Sequence, residues 1–242
     1  MSAAVPDHYR GVWVRTLLET PDRRDDSTFV RWLQTSRWHA DLRVPPAARG
    51  TPPDLALQQG FCGVTTVETL AGDEVCRWHR RVDFQPPGPF PDAGRIIFDG
   101  PDRLVETGIH STYLEVWERL PGSTGRFVVL EAEGAKLLVA GTHAMRVRPR
   151  GMAWPADTSV ADTLADLQRR HPHAGLLDFE ISFARLEGGR LAIERSTLPE
   201  LEGTVEACAI RRRADDEAVV QGPTGDVRWC VLEWDAAGST LA

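Results

Sequence analysis

The sequence predicts an all-β, mainly antiparallel fold whose strands close into a barrel, with one amphipathic helix. Three observations support this fold class. Short segments alternate apolar and polar residues, turn residues separate them at a spacing of about ten residues, and a single stretch has helical periodicity instead. The chain has 242 residues, and we expect one barrel domain over 1–242 because all-β barrels run to roughly 200–250 residues as single units.

The predicted strands follow one another along the chain with turn signals between them. In the first part of the chain they cover residues 9–18, 28–34, 37–44, 61–70, 74–84, 95–98 and 103–107. In the second part they cover residues 111–120, 126–131, 136–148, 176–186, 190–196, 204–211, 218–221 and 226–234. Turn pairs such as Asp99-Gly100 are typical of tight connections between antiparallel strands. The order predicts a meander that curls into a barrel or sandwich.

One segment departs from the alternation. Val160, Leu164 and Leu167 recur at helical spacing, and polar residues that can cap a helix occupy positions 157–159. Pro172 and Gly175 follow the apolar positions and mark the end of the element. The pattern predicts a helix at about 158–170.

Charge and hydropathy exclude several classes of partner. The formal net charge is −7, whereas nucleic-acid binding needs a clustered basic surface. No apolar run approaches the roughly 18 residues of a transmembrane helix, and the first residues lack the pattern of a signal peptide. We therefore expect a cytoplasmic protein that binds neither nucleic acid nor membrane. Exposed edges of an open barrel would favour a homodimer.

Cofactor signatures are missing from the sequence. The four cysteines, Cys62, Cys76, Cys208 and Cys230, match no zinc or haem spacing and read as buried free thiols. Walker, dinucleotide-binding, nucleophile-elbow and His-Glu-x-x-His motifs do not occur. We expect no cofactor, and the common nucleotide enzymes and serine hydrolases are excluded.

Several segments together resemble a group of uncharacterised bacterial proteins associated with lipocalin-like (calycin) barrels. The segments are Trp32-Leu-Gln, Asp41-Leu-Arg-Val-Pro, Tyr113-Leu-Glu-Val-Trp-Glu-Arg, Leu138-Val-Ala-Gly-Thr-His, Asp178-Phe-Glu-Ile-Ser-Phe and Ser196-Thr-Leu-Pro. The wider class includes nitrobindins and a fungal protein of unknown function, and the resemblance spans about residues 10–205. It implies a small ligand inside the barrel, and some calycins are enzymes. The haem-binding subgroup relies on a histidine late in the chain, but here no histidine follows His173.

Alternation along the predicted strands indicates where a site lies. In 37–44, the face with His39, Asp41 and Arg43 is polar, while the face with Leu42 and Val44 is apolar. The polar face lies either in water or against a polar cavity. In 113–117, one face combines aromatic rings with a carboxylate, which is what a polar ligand pocket needs.

We predict one site in the barrel for a small polar or carbonyl-containing molecule. Its ligand-binding residues are Trp32, Gln34, Arg43, Tyr113, Trp117 and Glu180. If the protein is a cofactor-independent lyase, hydratase or isomerase, Glu115, His143 and Asp41 are the catalytic residues. Glu106 is a further carboxylate on a short strand.

Two alternatives stay open at this point. A carboxylate buried beside an arginine is equally consistent with a structural ion pair in a filled barrel that binds a ligand or partner without catalysis. Strand histidines His39, His79, His110 and His143 would be the ligands of a metal-dependent, cupin-like enzyme, although His171-Pro-His173 lies in a loop.

Overall fold

The computed structural model describes residues 4–48, 50–70 and 72–241, and it is an all-β structure of two antiparallel sheets. Nine strands form the first sheet: Gly11–Thr20 (β1), Arg23–Asp25 (β2), Phe29–Gln34 (β3), Trp38–Val44 (β4), Gln59–Leu70 (β5), Asp73–Asp83 (β6), Asp92–Phe98 (β7), Arg103–Gly108 (β8) and Leu114–Arg119 (β9). β1 pairs with both β3 and β9, so eight strands close into a barrel and β2 extends its edge. The predicted antiparallel all-β class is confirmed, and the closed barrel is compatible with a calycin-like one.

The second sheet is a curled half-barrel of ten strands. They are Phe127–Ala132 (β10), Ala135–Ala140 (β11), His143–Arg148 (β12), Glu180–Glu187 (β13), Arg190–Ser196 (β14), Val205–Ala207 (β15), Ile210–Arg212 (β16), Glu217–Gly222 (β17), Gly225–Asp235 (β18) and Thr240–Leu241 (β19). Their spatial order is β15-β14-β13-β12-β11-β10-β18-β17-β16-β19. None of the helices in the described ranges is both long and apolar enough to cross a membrane.

The half-barrel covers part of the outside of the barrel. Leu33 and Leu42 belong to the outward faces of β3 and β4, and they share one buried apolar cluster with Leu138, Met145 and Phe183 of the half-barrel. The apolar face of β4 is therefore the packing surface between the two sheets. Its polar face is left to point into the barrel, because successive side chains of a strand alternate.

The helix is shorter than the sequence pattern indicates. It covers Leu164–Arg170 (α2), whereas the prediction started it at about 158. Thr163 caps it, since its side chain accepts a hydrogen bond from the Asp166 amide and Asp166 bonds back to the Thr163 amide. Leu164 and Leu167 are buried against the sheets, but Val160 is exposed. A further helix of four residues, Pro52–Leu55 (α1), lies between β4 and β5.

The predicted strand 136–148 is wrong, because it is two strands joined by a tight turn. Gly141 lies between β11 and β12 with φ of +59°, a conformation that side chains other than glycine's rarely adopt. A Cβ atom at this position would stand 1.9 Å from the carbonyl oxygen of Gly122. The predicted strand 204–211 likewise divides into β15 and β16.

Leu42→Ala tests whether the contact between the two sheets stabilises the fold. Leu42 is fully buried in that contact, so the change should lower the free energy of unfolding by about 2–5 kcal/mol. Leu70→Ala, at a side chain that is 44% exposed, is the control and should cost less than about 1 kcal/mol. Urea unfolding followed by fluorescence measures both values, and equal losses would contradict the packing described.

Candidate functional site

The barrel encloses a cavity of about 350 Å³. Side chains from all nine strands of the first sheet line it, together with residues of the connecting loops, among them the loop before β9. Arg23, Leu57, Ser111 and Thr112 also line the cavity and are exposed, so they mark its mouth. The site is therefore a one-ended pocket in the interior of the closed sheet.

Indole rings form the inner wall of the cavity. The ring centre of Trp32 lies 5.4 Å from that of Trp78 and 5.8 Å from that of Trp117, at interplanar angles of 79° and 76°. The indole nitrogen of Trp32 donates to Gln34 Oε1 at 3.2 Å. The buried indole nitrogen of Trp117 has no hydrogen-bond partner among the described residues. An indole N–H without an acceptor is costly to bury.

Arg15 crosses the seam where the first barrel strand pairs with the last. Its Nη1 donates to Glu115 Oε1 at 2.6 Å and its Nη2 to Asp25 Oδ2 at 3.2 Å, and all three side chains are buried. Burial works against the charge of Asp25, but hydrogen bonds from Thr28 and Ser27 hold its pKa below the usual range. The guanidinium is therefore shared between two carboxylates.

A β-bulge in β1 decides which residues after Arg15 enter the cavity. The register with β9 shifts between Arg15 and Leu17, and Arg15, Leu18 and Thr20 line the cavity as a result. Strict alternation would have placed Glu19 inside, whereas its exposed side chain pairs with Arg24. The bulge keeps one further carboxylate out of the interior.

Arg43 is the second cation of the interior. Its Nε donates to Asp41 Oδ1 at 2.8 Å, and its Nη1 lies 3.7 Å from Glu115 Oε1. Burial disfavours the charged guanidinium, but the carboxylates of Asp41 and Glu115 hold the pKa of Arg43 well above its usual value. Glu115 thus accepts a hydrogen bond from Arg15 and forms a longer ion pair with Arg43, and each arginine has a second carboxylate.

Glu106 is held differently. Tyr113 Oη donates to its Oε1 at 2.6 Å, and the Glu115 backbone lies directly opposite in the β8–β9 pair. Burial, and then the Glu115 charge, raise the pKa of Glu106 well above its ordinary value. Burial and the Glu106 charge also raise the pKa of the Tyr113 hydroxyl. Gly94 makes room for this carboxyl, since a Cβ there would lie 2.6 Å from Glu106 Oε1.

The cavity brings together most of the residues predicted from the sequence. Those that line it are Trp32, Asp41, Arg43, Tyr113, Glu115 and Trp117. Gln34 lies just below the cavity, where its Oε1 accepts hydrogen bonds from Trp32 and from Thr65 Oγ1 at 2.7 Å. Gln34 therefore orients a wall residue and does not line the cavity itself.

Two predicted residues lie on the half-barrel and away from the cavity. His143 begins β12 and stacks on Phe183 with ring centres 5.7 Å apart, and burial beside Arg185 lowers its pKa to about 4. Glu180 begins β13 and pairs with Arg146 at 2.6 Å. Both residues lie on strands whose residues alternate as those of a barrel strand do. These strands belong to the second sheet, so their side chains do not enter the barrel.

Other residues of the cavity were missed by the sequence analysis, namely Arg15, Asp25, Phe61, Trp78 and Asp92. Trp78 lies on the β6 face opposite the polar set of Arg77, His79 and Arg81. Arg15 carried a usable signal, because it lies two residues after Trp13 in the first strand and so shares the face of that large apolar side chain.

No three histidine, cysteine, aspartate or glutamate side chains in the described part of the chain are grouped so that they could hold a metal ion. His39, for example, bonds through Nδ1 to Thr65 Oγ1 at 3.0 Å, and burial lowers its pKa well below the usual value.

Arg15→Ala tests the buried ion pairs at the seam. The change leaves Glu115 and Asp25 buried beside fewer cations, so the free energy of unfolding should fall by about 3–5 kcal/mol. Arg24→Ala removes an exposed pair on the adjacent strand and should cost at most about 1 kcal/mol. Chemical unfolding at neutral pH compares the two variants. If Arg15→Ala lowers the free energy of unfolding no more than Arg24→Ala does, the buried ion pairs of Arg15 do not stabilise the barrel.

Glu106→Gln tests the raised pKa through the pH dependence of stability. Above an unfolded-state pKa of about 4.3, the native protein keeps a proton on Glu106 that the unfolded chain has lost. Wild-type stability therefore falls as pH rises through this window, and glutamine removes that loss. The free energy of unfolding of Glu106→Gln, relative to that of the wild type, should rise by up to about 1.4 kcal/mol per pH unit above about pH 4.5. The rise should stop at the pKa of Glu106 in the native protein.

Glu118→Gln is the matched control, because Glu118 lies exposed on the same strand as Glu115. Its stability difference from the wild type should not change with pH. A constant difference between Glu106→Gln and the wild type from about pH 5 to pH 8 would show that Glu106 ionises normally.

Comparisons with known proteins identify a similar fold and no function. No protein-family model matches the chain, and no curated protein matches it. A solved structure, that of the uncharacterized protein YLR301w from Saccharomyces cerevisiae, superposes with a TM-score of 0.60. The two sequences are 12% identical, and the match covers 93% of this chain and 99% of the yeast chain. The likeness extends over both sheets and concerns the fold alone.

Proposed function

We propose that the protein is a lipocalin-like barrel that binds a small polar molecule in the cavity. The observation that carries the proposal is an interior space of about 350 Å³ that has indoles on one wall and fixed charges on the others. Ligand pockets of proteins range from about 300 to 1,000 Å³ and combine apolar walls with a few placed polar groups. The cavity has this size and this composition.

Two buried polar groups favour a ligand over a filled, purely structural barrel. Glu106 has a neutral hydrogen-bond donor, Tyr113, but no cation, and Trp117 Nε1 has no hydrogen-bond partner within the described chain. Buried polar groups without partners cost free energy, so a barrel selected only for stability would replace them with apolar side chains. A bound molecule would supply the missing contacts.

The ion pairs of the arginines hold the polar side chains of the cavity in fixed positions in the free protein. Arg15 and Arg43 together hold Glu115, and their second carboxylates, Asp25 and Asp41, restrain the other side of each guanidinium. Side chains fixed in this way lose little entropy on binding, and such preorganisation increases affinity. Their role in the proposal is to set the shape and charge of the pocket.

Acid–base catalysis is a second candidate, and the raised pKa of Glu106 favours it. A buried carboxyl whose pKa is raised by burial and by a neighbouring carboxylate is suited to act as a general acid. Of the catalytic residues expected from the sequence, Glu115 and Asp41 are engaged by arginines and His143 lies outside the cavity. In this version Glu106 takes the catalytic role, and Glu106→Gln should bind the substrate but fail to turn it over.

Blocking the mouth of the cavity tests the proposed binding. Thr112 is an exposed residue of the mouth, and Thr112→Trp should obstruct entry without changing the interior. A thermal-shift screen against small amines, alcohols, carboxylates and aldehydes should find compounds that stabilise the wild type. At saturating concentration the melting temperature should rise by about 5 °C, and Thr112→Trp should abolish the increase.

Thr69→Trp is the control, at an exposed position near the far end of β5. It should respond to every compound as the wild type does. The proposal fails if no compound stabilises the protein, or if the compounds that do so stabilise Thr112→Trp equally well.

A further inference from the structure

We infer that the ligand of the barrel is a small organic cation, whose ammonium group pairs with Glu106 and lies against the indoles of Trp32, Trp78 and Trp117. The inference rests on the proposed function, because it names the chemical class of the molecule that occupies the cavity. The charges that line the cavity carry the argument.

Five carboxylates and three arginines line the cavity: Asp25, Asp41, Asp92, Glu106 and Glu115, with Arg15, Arg23 and Arg43. Four of the carboxylates have an arginine within salt-bridge distance. Asp25 pairs with Arg15 and Arg23, Glu115 with Arg15 and Arg43, and Asp41 with Arg43. Asp92 pairs with Arg80, which approaches from outside the cavity at 2.7 Å.

Glu106 is the exception. Within the described ranges, no arginine, lysine or histidine nitrogen lies within salt-bridge distance of it, and its hydrogen-bond donor is the neutral Tyr113 hydroxyl. A buried carboxylate without a cation is expensive, so the group must either keep its proton or receive a positive charge from a ligand. Because Glu106 lines the cavity, a cationic ligand there would supply that charge.

The arginines do not favour an anionic ligand. Each arginine that lines the cavity already has at least one carboxylate partner, and both Arg15 and Arg43 have two. An anion would compete with these partners and add a negative charge to a lining in which carboxylates outnumber arginines. A cation would neither compete with the carboxylates for the arginines nor add negative charge to the cavity.

The aromatic wall suits a cation for a separate reason. Indole faces attract ammonium groups, and Trp is the strongest of the aromatic side chains in this respect. Trp78 and Trp117 each stand nearly perpendicular to Trp32, at 79° and 76°, and all three residues line the cavity. Clusters of aromatic rings recognise alkylated ammonium groups in other proteins.

The groups around Glu106 predict how binding responds to protons. Glu115 and Tyr113 face it from β9 and the preceding loop, Asp92 from β7, Cys76 from β6 and the Arg43 charge from β4. Burial and Glu115 raise the pKa of Glu106, which favours the protonated carboxyl in the free protein. An arriving ammonium favours the ionised form, and binding should therefore release one proton.

Three probes with a common aromatic end test the inference: phenethylamine, phenethyl alcohol and hydrocinnamate. Isothermal titration calorimetry in two buffers of different ionisation enthalpy measures both affinity and proton release near neutral pH. The amine should bind at least about tenfold more tightly than the alcohol, and hydrocinnamate should bind most weakly. Amine binding should release close to one proton.

Two variants complete the experiment. Glu106→Gln should reduce the affinity for phenethylamine at least about tenfold, to the level of the alcohol, and should abolish proton release. Glu118→Gln, on the exposed side of β9, should behave as the wild type. The comparison of the three probes on the wild type needs no variant, so the test stands even if Glu106→Gln does not fold.

The outcomes separate this inference from the proposed function. If the alcohol or hydrocinnamate binds as tightly as the amine, and Thr112→Trp blocks that binding, the cavity is a ligand site and the cation inference is wrong. The inference is equally wrong if the compounds that Thr112→Trp excludes in the wider screen are neutral or anionic. If no compound binds in a way that Thr112→Trp prevents, both proposals fail.

Discussion

The buried ion pair between Arg15 and Glu115 is the interaction on which the rest of the site depends. It spans the junction of β1 and β9, where the first and last strands of the barrel meet. The same carboxylate lies 3.7 Å from Arg43, and burial together with the Glu115 charge, opposite on β9, raises the pKa of Glu106 on β8. The ion pair that joins the closing strands of the barrel therefore also sets the charges inside the cavity.

The half-barrel gives the molecule a second apolar core outside the barrel. A small closed barrel usually fills its inside with apolar side chains, which supply its core. Here part of that core lies outside, where the apolar faces of β3 and β4 pack against Leu138, Met145 and Phe183. The barrel interior keeps an apolar cluster of its own, which includes Trp13, Val30 and Leu104, and the ion pairs and the open volume occupy the rest of the inside.

Strand alternation was enough to predict part of the site. It put Asp41 and Arg43 on one face of β4, and Tyr113, Glu115 and Trp117 on one face near β9, and these residues share the cavity. It could not assign strands to sheets, which is why His143 and Glu180 were included, although they belong to the half-barrel. Bulges at Arg15 and at Cys62 shift the register by one residue, and a shift of this kind reverses the faces of a strand. The pairing of strands that are distant in the sequence decides which way those side chains point. The local sequence pattern does not contain this information.

The central claim is that Glu106 is a carboxyl whose counter-charge comes from a ligand. A ¹³C NMR titration of the side-chain carboxyl, assigned with Glu106→Gln, measures its protonation directly in the free protein and in the presence of saturating phenethylamine. The account predicts a protonated Glu106 near neutral pH in the free protein and an ionised Glu106 in the amine-bound protein. A carboxyl already ionised in the free protein, or one that keeps its proton when the amine is bound, would contradict it.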